Sequence, residues 1–273
     1  PDVPANSHSD SFNQIMKSFF VLSSATLASG HGIFWSPISR AVLSEQNGNI
    51  NDATSVIAEP MPDVADNRDY PGMRPFAEPG QSVSNVGPCG QENYGNMVNW
   101  NQPHDNWGFN TVATYNAGDV IDVEWCVSDA ADHGGVYSYR ICQDDNIVSK
   151  FIDPNYMPNE GDWADMEACF QAGILKCSDV DGNNCYVHPD CGGTGWGCEY
   201  SSQEWFNCGP VDGGRCMSTS TGETCNVHGG TGAILRDKVK LPMYTSNHTL
   251  MGFRWDCEDT TQLWVHCADI AIV

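Results

Sequence analysis

The amino-acid sequence predicts an all-β fold, namely a single immunoglobulin-like or fibronectin III-like β-sandwich with long disulfide-rich loops. Three observations lead to this prediction. Several short runs alternate between apolar and polar residues with a period of two, which is typical of strands with one buried face. The 27 glycines and 15 prolines separate these runs with turns. The 13 cysteines supply disulfides for loops that bury little apolar surface.

The first 30 residues are expected to be absent from the folded protein. Residues 1–15 are interpreted as an upstream extension, and residues 16–30 have the features of a secretory signal peptide. They begin with methionine and lysine, continue with an apolar core too short to span a bilayer, and end in small residues that resemble an A-x-A cleavage pattern. Cleavage after Gly30 would leave residues 31–273 as one secreted, extracellular domain that begins with His31.

The composition argues against several classes of partner. A formal net charge of −23 argues against binding to nucleic acid and to anionic membranes. No segment is long and apolar enough to predict a transmembrane helix. All the cysteines follow the predicted leader, as expected for a disulfide framework formed in an oxidising compartment. The sequence contains no C-x-x-C, so a structural zinc site of the usual spacing is not expected.

After residue 40, the sequence predicts a long loop region followed by strands. Residues 41–86 are rich in Pro, Asp, Asn and Gly, which predicts a long surface excursion with at most a short helical turn. Residues 121–127 and 136–142 both alternate apolar and polar side chains, which predicts a hairpin of two strands. Further strands are predicted at residues 233–243, 249–257 and 261–273.

A Cys-rich insert at about residues 169–225 contains eight of the cysteines. It is rich in Gly, Asn, Ser and Asp and buries little apolar surface, so disulfides are expected to hold it. The pairing stays open at this point, and the odd total leaves at least one cysteine free or paired with another chain.

A histidine at a new N-terminus has a chemical consequence. The α-amine and the Nδ1 atom of His31 can bind one metal ion together, and this chelate forms only when the amine is free. The alternative is that His31 is an ordinary residue near a cleavage point. The residues that follow it favour the metal.

The segment from His31 to Arg40 has the pattern H-G-x(4)-P-x-S-R. It resembles the mature start of the lytic polysaccharide monooxygenases, copper enzymes that cut chitin, cellulose and related glycans by oxidation. Two later segments strengthen the resemblance: residues 131–142, ADHGGVYSYRIC, and residues 261–273, which contain Cys-Ala-Asp-Ile. The resemblance covers residues 31–273 and is closest to auxiliary activity family fifteen or a relative of it.

This resemblance implies a copper site with three candidate catalytic residues, His31, His133 and Trp264. His31 and His133 would be the metal ligands and would hold one copper ion in a histidine brace. Trp264 stands where the family usually has tyrosine or phenylalanine beside the axial position of the copper. The tryptophan side chain has no oxygen atom that could bind a metal. The axial position of the copper is therefore expected to face an apolar wall or to be open to small ligands. His266 shares the strand face of Trp264 and is expected either to approach the metal or to be structural, and Asp269 is expected to be structural.

The resemblance also implies a reaction and its partners. In the family, the metal is reduced by an external electron donor and uses O2 or hydrogen peroxide to oxidise the sugar beside a glycosidic bond, which then breaks. The expected substrate is an insoluble polysaccharide such as chitin or cellulose, and the protein is expected to act as a monomer. The region that matches residues 41–86 helps to form the glycan-binding face of these enzymes, so Tyr70 and Phe76 are candidate substrate-binding rings. Packing against the core is the alternative for each ring.

Three other functions stay open from sequence alone. The same histidines could capture or deliver copper without oxygenase activity. A disulfide-stapled module could bind glycan without cutting it. A structural secreted protein could carry the motifs by chance, although three matching segments in order argue against this. Oxidised oligosaccharides released from a polysaccharide would distinguish the enzyme from all three.

Overall fold

The computed structural model describes residues 32–48, 57–58, 86–91, 98–128, 136–175, 178–181, 206–207, 219–227, 230–256 and 263–273. The strands in these ranges are β1 (Gly32–Ser36), β2 (Ile57–Ala58), β3 (Ala113–Tyr115), β4 (Val120–Ser128), β5 (Val136–Ile141), β6 (Phe206–Asn207), β7 (Thr219–Val227), β8 (Gly230–Lys240), β9 (Ser246–Asp256) and β10 (Leu263–Ile272). The helices are α1 (Arg40–Gln46), α2 (Asp145–Ile152), α3 (Glu160–Ala172) and α4 (Ser178–Asp181). None of the helices in these ranges has the length and apolar character needed to cross a membrane.

The strands form two sheets that pack face to face. The four-stranded sheet has the order β1-β4-β8-β7, and the six-stranded sheet has the order β2-β10-β9-β5-β6 with β3 added in parallel beside β10. Buried side chains from both sheets form one cluster, which includes Phe34 and Trp125 from the first sheet and Tyr137, Phe253 and Trp264 from the second. The predicted β-sandwich is therefore confirmed.

Strand β10 is buried along its whole length. Trp264 and Ala268 belong to the cluster between the sheets. Leu263, Val265 and Cys267 point to the opposite face and belong to a second cluster, together with buried residues of α1, α2 and α3. A strand that is covered on both faces has a nearly continuous apolar sequence. The last strand is therefore the layer that joins the sandwich to the helices.

Helix α3 covers the outer face of the six-stranded sheet and was not predicted from the strand and loop signals. Its Asn159 cap accepts hydrogen bonds from the first turn, and the capping box is complete. Glu167 of α3 accepts hydrogen bonds from Arg140 of β5, at 2.6 Å, and from Arg254 of β9. The Phe170 ring lies against Gly252, where a Cβ atom would be 3.0 Å from it. Helix α3 therefore buries the charged face of β5 and β9.

The hairpin predicted from residues 121–127 and 136–142 is wrong. Both segments are strands, but β4 pairs with β1 and β8, whereas β5 pairs with β9 and β6 in the other sheet. A period of two determines which residues share a face but not which strand lies alongside. The inward side chains of the two strands meet across the sandwich, since the rings of Trp125 and Tyr137 lie 4.8 Å apart. The chain between them therefore passes from one sheet to the other.

The described residues contain three disulfides. Cys89–Cys267 joins a loop to β10, Cys126–Cys225 joins β4 to β7, and Cys142–Cys169 joins the residue after β5 to α3. The last two connect the ends of the predicted Cys-rich insert to β4 and to the residue after β5. Each bond restricts the unfolded chain and so stabilises the folded state. The other seven cysteines lie outside the described residues.

Candidate metal centre

Gly32 opens β1 and lies against the indole ring of Trp255. A Cβ atom on Gly32 would lie 2.6 Å from Cε3 of Trp255, which is far inside van der Waals contact. A side chain at this position would require the ring to move. The backbone that follows His31 is therefore held directly against Trp255.

Trp255 is also the strand partner of Tyr137. Strand β5 begins at Val136, three residues after His133, and Tyr137 is the Cα partner of Trp255 in the adjacent strand β9. On its other side, Trp255 pairs with Trp264 of β10. The described segments that flank the two predicted metal ligands therefore meet at one residue.

Four buried rings line this end of the sandwich, and we call them the aromatic wall: Trp125, Tyr137, Trp255 and Trp264. The ring of Trp125 lies 5.3 Å from that of Trp255 in an edge-on arrangement. Trp255 and Trp264 are stacked with their centroids 6.4 Å apart. Aromatic pairs at these distances add to the stability gained from burial. The aromatic wall is thus a closely packed surface beneath the backbone of Gly32.

The structure locates one of the five site residues predicted from the sequence. Trp264 is fully buried in the aromatic wall. Its role in catalysis stays a prediction. His31, His133, Tyr70 and Phe76 lie outside the described residues, so their assignments also stay predictions.

His266 is fully buried and contacts the backbone of Gly32. Its Nε2 atom lies 3.0 Å from the Gly32 carbonyl oxygen. Because a carbonyl only accepts, Nε2 carries the hydrogen. Burial lowers the pKa of His266 to about 4, and the bond to Gly32, which raises the pKa, offsets only part of that effect. The imidazole is therefore neutral near pH 7.

The other histidines within the described residues are His104 and His248. His104 is exposed, and its ring stacks on Trp107 with centroids 4.9 Å apart. His248 lies 2.8 Å from a carboxylate oxygen of Asp269. Within the described ranges, no group of three or more His, Cys, Asp or Glu side chains could hold a metal ion.

The sequence matches a family model described as lytic polysaccharide mono-oxygenase, cellulose-degrading, over residues 31–270. The chain belongs to the lytic polysaccharide monooxygenases. These enzymes are copper-dependent oxidoreductases that act on polysaccharides with an electron donor and O2 or hydrogen peroxide. They are generally secreted. The family predicted from the sequence motifs is confirmed.

Three curated relatives carry the same family name. The chain is 41% identical over 268 residues to lytic polysaccharide monooxygenase aasB of Emericella nidulans, covering 94% of this chain and 76% of the relative. It is 38% identical to AA13 family lytic polysaccharide monooxygenase A of Pyricularia oryzae, covering 92% and 64% of the two chains. It is 35% identical to the enzyme of that name from Aspergillus terreus, covering 90% and 59%. The chain thus spans less than two thirds of the second and third relatives.

Solved structures of lytic polysaccharide monooxygenases also match this chain at low sequence identity. The AA15 enzyme from Thermobia domestica is 19% identical, with a TM-score of 0.42 and coverage of 89% of this chain and 98% of that one. An AA10 enzyme from Streptomyces lividans is 17% identical, with a TM-score of 0.41 and coverage of 89% and 100%. The family assignment rests on the sequence matches and not on these superpositions.

Two residues of the N-terminal motif have structural roles in this lytic polysaccharide monooxygenase. Ser39 caps α1 by accepting a backbone hydrogen bond. Arg40 donates from Nε and Nη2 to the two carboxylate oxygens of Asp269, each at 2.6 Å. It also donates to the carbonyl oxygens of Trp100 and Phe151. The first and last family motifs are therefore joined by a buried ion pair, as the structural role predicted for Asp269 requires.

The importance of Trp255 was not predicted from the sequence. In the strand predicted at residues 249–257, apolar and polar residues alternate, and this alternation places Trp255 on the inward face. Nothing in that pattern indicates its contact with Gly32, which is more than 200 residues away in the chain. The glycine after His31 was the available signal, because a glycine can mark a close approach to another group.

Replacing Gly32 with alanine is expected to lower the free energy of unfolding by about 1–3 kcal/mol, because the new methyl group collides with a packed ring. Urea denaturation of the processed chain measures this change. Gly161→Ala in α3 is the control, because that position is exposed and its new Cβ would meet only the Asn159 side chain, at 3.1 Å. Equal stability of the two variants would contradict the close packing of Gly32 on Trp255.

Proposed function

We propose that residues 31–273, after removal of residues 1–30, act as a secreted copper-dependent lytic polysaccharide monooxygenase. The main support is the meeting of Gly32 with Trp255, the strand partner of Tyr137. One predicted ligand directly precedes Gly32, and the other precedes β5 by three residues. The family match also begins at residue 31, which supports His31 as the first residue of the mature chain.

The proposed donor set consists of three neutral nitrogens: the α-amine and Nδ1 of His31 and Nε2 of His133. Such nitrogens suit copper, and a site with so few protein ligands keeps positions open for small molecules. Bound copper would supply the oxidative chemistry that the side chains lack. The glycine-sized gap over Trp255 lets the backbone after His31 approach closely. A bulkier residue at position 32 would force this backbone and the Trp255 ring apart.

The protein's own residues are proposed to shield and orient the site. The aromatic wall closes the side that faces the core, since all four rings are fully buried. Trp264 would bound the site with an apolar ring and would supply no ligand atom. Tyr70 and Phe76 are proposed to bind the substrate by stacking on sugar rings.

The substrate is proposed to be a polysaccharide, oxidised with an external electron donor and O2 or hydrogen peroxide by a monomeric enzyme. Starch is the first substrate to test, because two of the relatives are named as members of AA13 and that group is starch-active. Chitin and cellulose, the substrates predicted from the sequence motifs, are tested beside it. The products to detect by mass spectrometry are oligosaccharides with an oxidised sugar.

Copper titration of the chain that begins at His31, followed by electron paramagnetic resonance, tests the site itself. We expect tight one-to-one binding and an axial spectrum with nitrogen ligands. His133→Ala should lose tight binding. His104→Ala should keep it, because His104 is exposed and stacks on Trp107 at the surface of the fold. Absence of tight binding by the unaltered processed chain would contradict the proposal.

The product assay separates the enzyme from its rivals. Oxidised oligosaccharides that require copper and the reductant are expected from at least one polysaccharide. Tight copper binding without oxidised products from any of the three would favour a copper-binding protein without oxygenase activity. Glycan binding that is unaffected by His31→Ala, without bound copper, would favour a glycan-binding module.

A further inference from the structure

His266 joins the two sheets at the residue that follows His31. Its Nε2 atom donates to the Gly32 carbonyl oxygen at 3.0 Å, and the two residues are 234 positions apart in the chain. Gly32 belongs to β1 in the four-stranded sheet, whereas His266 belongs to β10 in the six-stranded sheet. The bond therefore crosses the sandwich and is separate from the backbone ladders within each sheet.

The backbone at Gly32 depends on such restraints. Glycine has more conformational freedom than any other residue and no side chain that could anchor it. Gly32 pairs with Val127 of β4, and its Cα lies against the ring of Trp255. His266 adds the restraint on the carbonyl group. Together these three contacts fix the peptide planes directly after His31.

The imidazole ring of His266 lies in an apolar environment, where burying a ring without polar atoms would cost less free energy. Its Nδ1 atom is buried and has no hydrogen-bond partner within the described part of the chain. A buried polar atom without a partner costs about 1–3 kcal/mol. The ring packs near Phe253, with centroids 6.3 Å apart. A phenylalanine at position 266 could fill the same space but could not donate the hydrogen bond to the Gly32 carbonyl oxygen.

We propose that His266 is a positioning residue for the copper site, which holds the Gly32 carbonyl and thereby restrains the backbone next to the proposed ligand His31. This inference rests on the proposed function. His266 acts through the backbone and contacts neither metal nor substrate. By restraining that backbone before the metal arrives, it reduces the conformational entropy that binding must otherwise remove. Groups that orient metal ligands typically change metal affinity by about 10–100-fold when they are replaced.

The test compares copper binding and unfolding of processed chains that begin at His31. His266→Phe is expected to bind Cu(II) about 10–100-fold more weakly than the unaltered chain. Its electron paramagnetic resonance spectrum should also shift, while its unfolding temperature without copper equals or exceeds that of the unaltered chain. A purely structural role would lower the unfolding temperature and leave the spectrum unchanged.

Tyr139→Phe is the matched control. It removes another buried hydrogen bond of the sandwich, the 2.7 Å bond from the Tyr139 hydroxyl to Asp237. We expect this variant to be less stable, with copper affinity and spectrum like those of the unaltered chain. Copper binding weakened equally in both variants would overturn the inference, because the effect would then follow general loss of core contacts.

The outcomes separate this inference from the proposed function. Tight copper binding by the unaltered chain with the same affinity and spectrum in His266→Phe would overturn the positioning role and leave the copper site intact. Failure of the unaltered chain to bind copper would overturn both. If His266→Phe does not fold, copper binding by His266→Gln and His266→Asn tests the inference instead. The longer glutamine side chain can place its amide near the Gly32 carbonyl oxygen, whereas the shorter asparagine side chain cannot. Equal copper binding by those two variants would overturn the inference, and weaker binding by His266→Asn would support it.

Discussion

Replacing Asp269 with asparagine is expected to reduce the free energy of unfolding by about 3–5 kcal/mol. Asp269 is 5% exposed, and it accepts two hydrogen bonds of 2.6 Å from Arg40, which is fully buried. Asparagine keeps the shape of the side chain but removes its charge. The guanidinium group then stays buried without its counter-ion, which is the costly situation. Chemical denaturation at neutral pH measures the loss.

The same carboxylate makes part of the stability sensitive to acid. Burial raises the pKa of Asp269, but the charge and hydrogen bonds of Arg40, with a further contribution from His248, lower it to a net value below the usual one. A carboxylate with a lowered pKa stabilises the folded state above its unfolded-state pKa of about 3.9. This contribution is lost as the pH falls through the folded-state pKa. The unaltered chain should therefore lose stability below about pH 4 more steeply than Asp269→Asn.

Asp122→Asn is the control for this prediction. Asp122 and Lys238 form an ion pair of 2.7 Å on β4 and β8, but their side chains are 50% and 64% exposed. Ion pairs in water contribute little to stability because solvent screens them. We expect Asp122→Asn to unfold like the unaltered chain. If Asp269→Asn also left the free energy of unfolding unchanged, the buried Arg40–Asp269 ion pair would not stabilise the fold.

Retaining Gly30 in front of His31 is expected to weaken copper binding by about 10²–10⁴-fold, because linked donors gain that much from their effective concentration. In the extended chain the nitrogen of His31 belongs to a peptide bond and is no longer a free amine. The imidazole must then act without its chelating partner. Isothermal titration of the processed and extended chains with Cu(II) under the same conditions gives the ratio.

The pH dependence of copper binding distinguishes the amine from other donors. An α-amine has an unperturbed pKa of about 7.7–8.0, so protons compete with the metal below this range. The affinity of the processed chain should fall as the pH is lowered through the range, and the extended chain should lack this component. Equal affinities and equal pH profiles would show that the amine is not a ligand and would remove the proposed brace.

Local patterns in the sequence were sufficient to predict the positions of five strands and the family of the protein. Alternation of apolar and polar residues predicted the segments that form β4, β5, β8, β9 and β10. The three motifs around His31, His133 and Asp269 predicted the family that the sequence comparison confirms. The pattern was not sufficient for strand partners, because the two strands of the predicted hairpin lie in different sheets. It also gave no indication that α3 covers the face carrying Arg140 and Arg254.

The sequence by itself determined the chemistry that this chain can offer: the order of its strands, the cysteines available for bridges, the histidines available for a metal and the carboxylate of the last motif. The tertiary structure alone decided which of these groups meet. It placed Gly32 on Trp255, joined His266 to the Gly32 carbonyl and paired Arg40 with Asp269, 229 residues away. The physical reason is that periodicity and motif spacing act over a few residues, whereas these contacts arise when two sheets and a helical layer exclude water from their common core.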